Sequence, residues 1–149
     1  MAKRYADNSH EWSELLARHR ALLLCLTNST TRTPLTLIAC DWDPPDLGAG
    51  EAPSIIPNAS FWRRARVLSD AATGEDSGAD SFWVAWYPSV ESLTPLLAHC
   101  AEEEADVVIV DETLSWIYHP YPGGVDVIAA TGAIRDDLRG RFAHWRPLG

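Results

Sequence analysis

Residues 118–128 read YHPYPGGVDVI, and the Pro122-Gly123 pair inside them limits the fold more than any other feature of the chain. Proline at the first central position of a β-turn presets φ, and glycine at the second supplies the positive φ of a type II turn without a Cβ penalty. Apolar residues stand on both sides, so the bend predicts a hairpin: a strand over residues 114–119, a loop over 120–123 and a return strand over 124–130. In that register His119 faces Gly124, and Asp126 sits diagonally from His119 on the same sheet face, within reach of a hydrogen bond.

The remaining elements fall around this hairpin. Asn8 can cap a helix while Glu11 reaches back, and Trp12, Leu15, Leu16, His19, Leu22, Leu23 and Leu26 recur at helical spacing, which predicts a helix over residues 9–26 with His19 packed in its stripe. Residues 35–40 are a short apolar run after Pro34 and read as a buried strand. Residues 42–60, WDPPDLGAGEAPSIIPNAS, form a long Pro- and Gly-rich loop of the kind that is mobile or functional. Residues 61–68 read as an edge strand because of their arginines, and residues 69–80 as a solvated excursion. Residues 81–87, SFWVAWY, are apolar on both alternating faces, which predicts a central strand covered on two sides. Pro95 fits only a first helical turn, so a helix should begin near Ser92 or Thr94 and run to Glu104, with residues 102–106 a solvated acidic face. Residues 107–110 predict another buried strand, and Thr131 caps a last helix with the stripe Ile134, Leu138 and Phe142. The fold class that follows is α+β: one domain over residues 1–149, with a single-layer sheet of about five to six strands, mostly antiparallel or mixed, and about three helices packed on it. Strand order is not legible.

Composition then narrows function. A chain of 149 residues with 46% hydrophobic residues and seven tryptophans can bury a core without a metal or disulfide staple. The amino-terminal residues are polar, unlike a signal peptide, and no stretch approaches the ~20 apolar residues that span a bilayer. Cys25, Cys40 and Cys100 have no CxxC spacing and each lies in an apolar segment, as buried thiols of a reducing cytoplasm do. A net charge of −9 repels phosphate backbones, so nucleic acid is not the expected partner; a basic protein surface is. No nucleotide-binding, zinc-binding or nucleophile-elbow motif occurs, and nothing calls for a metal or another cofactor.

Two groups of residues remain as candidate sites. Asp41, Trp42, Asp43 and Asp46 follow one strand, Asp111 and Glu112 follow another, and with Tyr121 they mix carboxylates and aromatics as interface hot spots do. The alternative pocket is the hairpin itself, in which Asp126 would orient His119 as a general base with Tyr118 or Tyr121 as donor. A polar pair that merely locks the hairpin is the plainer reading, since no reaction partner for such a base is visible.

Residues 116–128, WIYHPYPGGVDVI, also resemble the signature of an uncharacterised bacterial family, largely actinobacterial, whose members usually read Trp-Leu/Ile-Tyr-His-Pro-Tyr-Asp-Gly-Gly-x-Asp-Val-Ile. Lys3-Arg4-Tyr5 before an acidic helix, the apolar strand before Asp111, and His144 and Trp145 at the end of the last helix extend the resemblance over most of the chain. Pro122 replaces the usual aspartate, so no role that needs a carboxylate in the turn carries over. A family of unknown function implies no catalytic residue. Small acidic domains of this kind are similar in style to immunity proteins, which neutralise a toxin by covering its site. The expectation is therefore a non-enzymatic cytoplasmic protein-binding domain, immunity- or antitoxin-like, that engages a basic partner such as a toxin; the alternative is a small-molecule or enzymatic site around the hairpin.

Overall fold

The structure, a computed structural model, describes residues 6–28, 32–42, 51–66 and 79–145. Helix α1 (Ser9–Leu26) begins where Asn8 accepts the Glu11 N–H on its side-chain oxygen at 3.0 Å. The Glu11 carboxylate takes the Asp7 N–H at 2.8 Å, one residue earlier than a reciprocal cap would place it. Strand β1 (Leu35–Asp41) follows, then the short helix α2 (Ala52–Ile55), β2 (Ser60–Arg66) and β3 (Ala79–Tyr87). A 3₁₀ turn over Glu91–Leu93 leads into α3 (Thr94–Ala101), with Pro95 in its first turn, where no backbone N–H is needed. Strands β4 (Val107–Asp111), β5 (Trp116–Tyr121) and β6 (Gly124–Ala129) precede α4 (Gly132–Arg141), whose N-cap Thr131 accepts the Ile134 N–H. The expected solvated excursion falls mostly on residues 67–78, outside the described residues.

The six strands form one antiparallel sheet in the order β2-β3-β1-β4-β5-β6, with β2 at an edge as its arginines suggest. Alternation divides each strand between two faces. One face carries Leu35, Leu37, Trp83, Ile109, Trp116 and Tyr118, which are buried in a single core cluster with Leu23 of α1, Ala52 of α2 and Leu96, Leu97 and Cys100 of α3. Each large aliphatic side chain fully buried there contributes about 1.5–3 kcal/mol. The chain's end returns to this helical layer, where the Arg18 guanidinium of α1 lies 5.5 Å from the centre of the Trp145 ring.

The second face, with Thr36, Ile38, Val84, Trp86, Val108 and Ile117, stands outside that cluster. The expectation that β3 is covered on both sides therefore fails, and Trp86 is 62% exposed. The physical reason is that, among the described residues, α1, α2 and α3 bury their apolar side chains on the first face. Helix α4 also departs from expectation: its stripe faces no core, α4 buries no residue, and Ile134 is 43% exposed. All three cysteines are free; Cys100 is buried, and Cys25 and Cys40 are half-buried.

Helix α3 stops at Ala101, three residues before the expected end. Glu103 adopts φ 65, its N–H bonds the Cys100 carbonyl at 3.2 Å, and the Glu104 N–H reaches back to the His99 carbonyl at 2.9 Å. This is a Schellman closure with glutamate in the left-handed position that glycine usually takes. It turns residues 103–106 toward the end of the sheet.

Candidate functional site, an acidic cleft

Three elements meet at that end. Strand β1 runs into Asp41 and Trp42; β4, antiparallel to it, starts just after Asp106, whose carbonyl accepts the Cys40 N–H at 3.0 Å; and β5 finishes with His119, Pro120 and Tyr121. The pairing of β4 with β5 stops at Ile109 opposite Tyr118. Pro120 has no N–H to donate, so the two strands part there. A cleft of about 710 Å³ opens beside them, closed on its other side by the first turn of α2 and the turn after α3.

The ionisable lining is one-sided. Asp41, Glu51, Glu103, Glu104 and Asp106 are five acidic residues of the lining, His119 brings an imidazole, and no lysine or arginine lines the cleft among the described residues; the Glu104 carboxylate is paired with His99. Asp41 accepts the backbone N–H groups of Glu51 and Ala52 at 3.2 Å each, which ties α2 to the strand end. The Asp106 carboxylate stands at the centre: one oxygen accepts the Trp42 indole N–H at 2.9 Å, and the other lies 3.2 Å from His119 Nε2. A carboxylate can only accept, so His119 carries its hydrogen on Nε2 toward Asp106, which fixes the imidazole's tautomer. Cys40 also lines the cleft; burial, then the charges of Asp80, Asp106 and Asp41, push its thiol up to about 12, so it stays neutral and a poor nucleophile. At the mouth, Trp42 is 65% exposed and Tyr121 lies 5.8 Å from the His119 ring. Burial, and then Asp126, raise the Tyr121 phenol above its ordinary value, so its O–H remains a donor and bonds Asp126 at 3.3 Å.

The two candidate groups are thus recombined. Asp41, Trp42, His119 and Tyr121 line one cleft. Asp43 and Asp46 lie outside the described residues. Asp111 and Glu112 sit at the opposite end of the sheet, since Asp111 pairs with Leu35, the first residue of β1. Burial alone would raise the Asp111 carboxyl, but hydrogen bonds from Ser115 and Thr113 outweigh it and hold Asp111 below the usual range, as part of the turn between β4 and β5. Glu112 is exposed in that turn.

The hairpin register also differs from expectation. The turn is the tight Pro122-Gly123 bend, with Gly123 at φ 85, and Tyr121 pairs with Gly124, so His119 faces Asp126 directly. The pair nevertheless splits its hydrogen bonds, His119 toward Asp106 and Asp126 toward Tyr121. Tyr118 does not join the pocket at all. As the strand neighbour of His119 it points to the core face, fully buried, with its hydroxyl 2.6 Å from His19 Nδ1.

Glu51, which belongs with Asp41, Asp43 and Asp46 to the acids that follow the first strand, lines the cleft, whereas Asp106, Glu103 and Glu104 are cleft residues that sequence reasoning missed. Their only signal was a run of acids immediately before an apolar strand, which reads equally as a solvated face. On the solvent side of the same turn, His99, Glu102 and Glu104 bring ligand atoms within 4.8 Å of one another, and His99 and Glu104 already pair directly. No described helix is long and apolar enough to cross a membrane.

No curated protein and no solved structure matches the chain. A family model does, over residues 1–147, and it covers the hairpin, the cleft and every element of the sheet. The chain belongs to that family, the domain of unknown function DUF3885.

Proposed function

We propose that this chain is a non-enzymatic binding protein of the bacterial cytoplasm, immunity- or antitoxin-like, that takes lysine or arginine side chains of a basic partner protein into the acidic cleft. The observation that carries this reading is the lining itself: five acidic residues with no lysine or arginine among the described lining, beside an indole that is 65% exposed. Carboxylates gathered without counter-charges attract a guest cation and steer its approach. Trp42, held by Asp106, supplies a rigid aromatic face over which a guanidinium packs. The overall charge of −9 acts in the same sense at longer range.

Capture from the native host tests it. The tagged protein should retain a basic protein at low salt, and Asp106→Asn combined with Trp42→Ala should weaken that complex at least about tenfold while the circular dichroism spectrum is unchanged. Retention of no protein at low salt, or a complex indifferent to both substitutions, refutes the proposal.

One observation favours a second reading: Asp106 orients His119 as a general base is oriented, in a cleft large enough for a small molecule. A small cationic metabolite that raises the melting temperature of the wild type but not of His119→Gln, with no protein partner retained, would make this the better account.

A further inference from the structure

We infer that the mouth of the cleft selects arginine over lysine, and that Gly124 sets this selection by letting the Tyr121 ring stand as one of its walls. This is the seat proposed above for the side chains of a basic partner, so the selection rests on that reading and narrows it to one cation, the guanidinium. Two rings meet on the Asp106 carboxylate: the Trp42 indole N–H donates to one oxygen at 2.9 Å, and His119 Nε2 donates to the other at 3.2 Å. A third stands beside them, the Tyr121 ring, 5.8 Å from that of His119 and tilted by 56°. All three line the cleft, and Trp42 and Tyr121 are exposed there.

The acids around these rings already hold donors. Asp106 accepts both ring N–H groups, Asp41 accepts the backbone N–H groups of Glu51 and Ala52, Glu104 pairs with His99, and Asp126 accepts the Tyr121 O–H at 3.3 Å. A lysine ammonium is a compact, strongly hydrated charge that needs several close acceptors in place of its water. A guanidinium is planar and weakly hydrated, so ring faces replace its water while its edge N–H groups take the lone pairs that remain. Carboxylates engaged in this way supply attraction and the rings supply contact, a division that favours arginine. Tyr121 owes its place to the residue opposite it. Tyr121 and Gly124 pair across the hairpin, and the phenol lies over the glycine so closely that a Cβ there would stand 2.9 Å from the hydroxyl and 3.0 Å from Cε2. The positive φ of the bend belongs to Gly123, so the backbone at Gly124 accepts alanine and only the ring stands in its way. A methyl group at that position therefore displaces Tyr121 without touching a carboxylate. An aromatic ring laid over a strand glycine also serves packing, but packing alone would alter stability and leave the choice of cation unchanged.

Calorimetric titration with hexa-arginine and hexa-lysine amides, equal in charge, at about 50 mM salt tests this selection. Hexa-arginine should bind the wild type at least about tenfold more tightly than hexa-lysine. Gly124→Ala should reduce that ratio to about twofold or less by weakening hexa-arginine, and Tyr121→Leu should do the same, a readout that stands even if the alanine variant fails to fold. Gly124→Ala added to Tyr121→Leu should lower the ratio no further, because no ring is left to displace. Equal affinity of the wild type for both peptides, a ratio that the folded single variants leave unchanged, or a further fall in the double variant overturns the inference while the cation-binding cleft stands. Binding of neither peptide overturns the cleft reading with it.

Discussion

His19 shows how one residue carries both stability and its pH dependence. Burial pushes its pKa down from 6.5 to about 4, and its Nδ1 lies 2.6 Å from the hydroxyl of Tyr118, whose own pKa burial raises. The neutral phenol therefore donates to a neutral imidazole. Between pH 6.5 and about 4 the unfolded chain holds a proton on His19 that the folded chain excludes, so stability is full above 6.5 and falls as pH drops through that window. The shift corresponds to roughly 3 kcal/mol. Chemical denaturation of wild type at pH 7 and pH 4.5 should show most of that loss, and the double variant His19→Leu with Tyr118→Phe should show a shallower slope. Tyr118→Phe alone should cost about 1–3 kcal/mol because it leaves the buried Nδ1 without a donor, while the double variant is milder because no polar atom is stranded. The helical stripe places His19 on the packed side from sequence alone. Its partner is not legible in that way, because Tyr118 sits among the polar residues of the hairpin and only the parity of the strand separates it from His119.

At the scale of elements, caps and turns are legible and registers are not. The Asn8 and Thr131 caps and the Gly123 bend depend on a few adjacent residues, and each is where local chemistry puts it. The hairpin register depends on whether Pro120 lies in the loop or in the strand, and that is decided by β4 ending its pairing with β5, a contact between distant segments. The turn after α3 is the most consequential element for the cleft. Glu103 holds φ 65, a conformation that costs a residue with a Cβ about 1 kcal/mol and glycine little, so Glu103→Gly should raise stability by about that amount. It also removes one cleft carboxylate, so binding of a basic partner should weaken in the same variant. Stability and binding moving in opposite directions, read by denaturation and by titration, would identify the strained glutamate as retained for recognition. Helix α4 is the converse case. It buries nothing, so its amides should exchange with solvent well before those of β1 and β3, and Thr131→Ala should speed that exchange while leaving global unfolding within about 0.5 kcal/mol.

At the scale of the whole molecule, the sheet separates two surfaces of opposite character. One end gathers carboxylates from β1, α2, β4 and the turn after α3; the sheet face turned away from the helices is apolar along its middle and charged at its margins, with Arg63 opposite Phe82 at one side and Asp126 opposite His119 at the other. Neither surface is visible as a unit in the sequence, because each is assembled from residues more than half the chain apart, from Ala39 to Pro122 in the cleft, and the alternation that marks SFWVAWY as a strand does not say which of its faces a helix will cover. Contacts of the cleft with a basic protein are attractions between partly exposed charges, which ionic strength screens, so raising salt from about 50 mM to about 500 mM should slow association and weaken the complex.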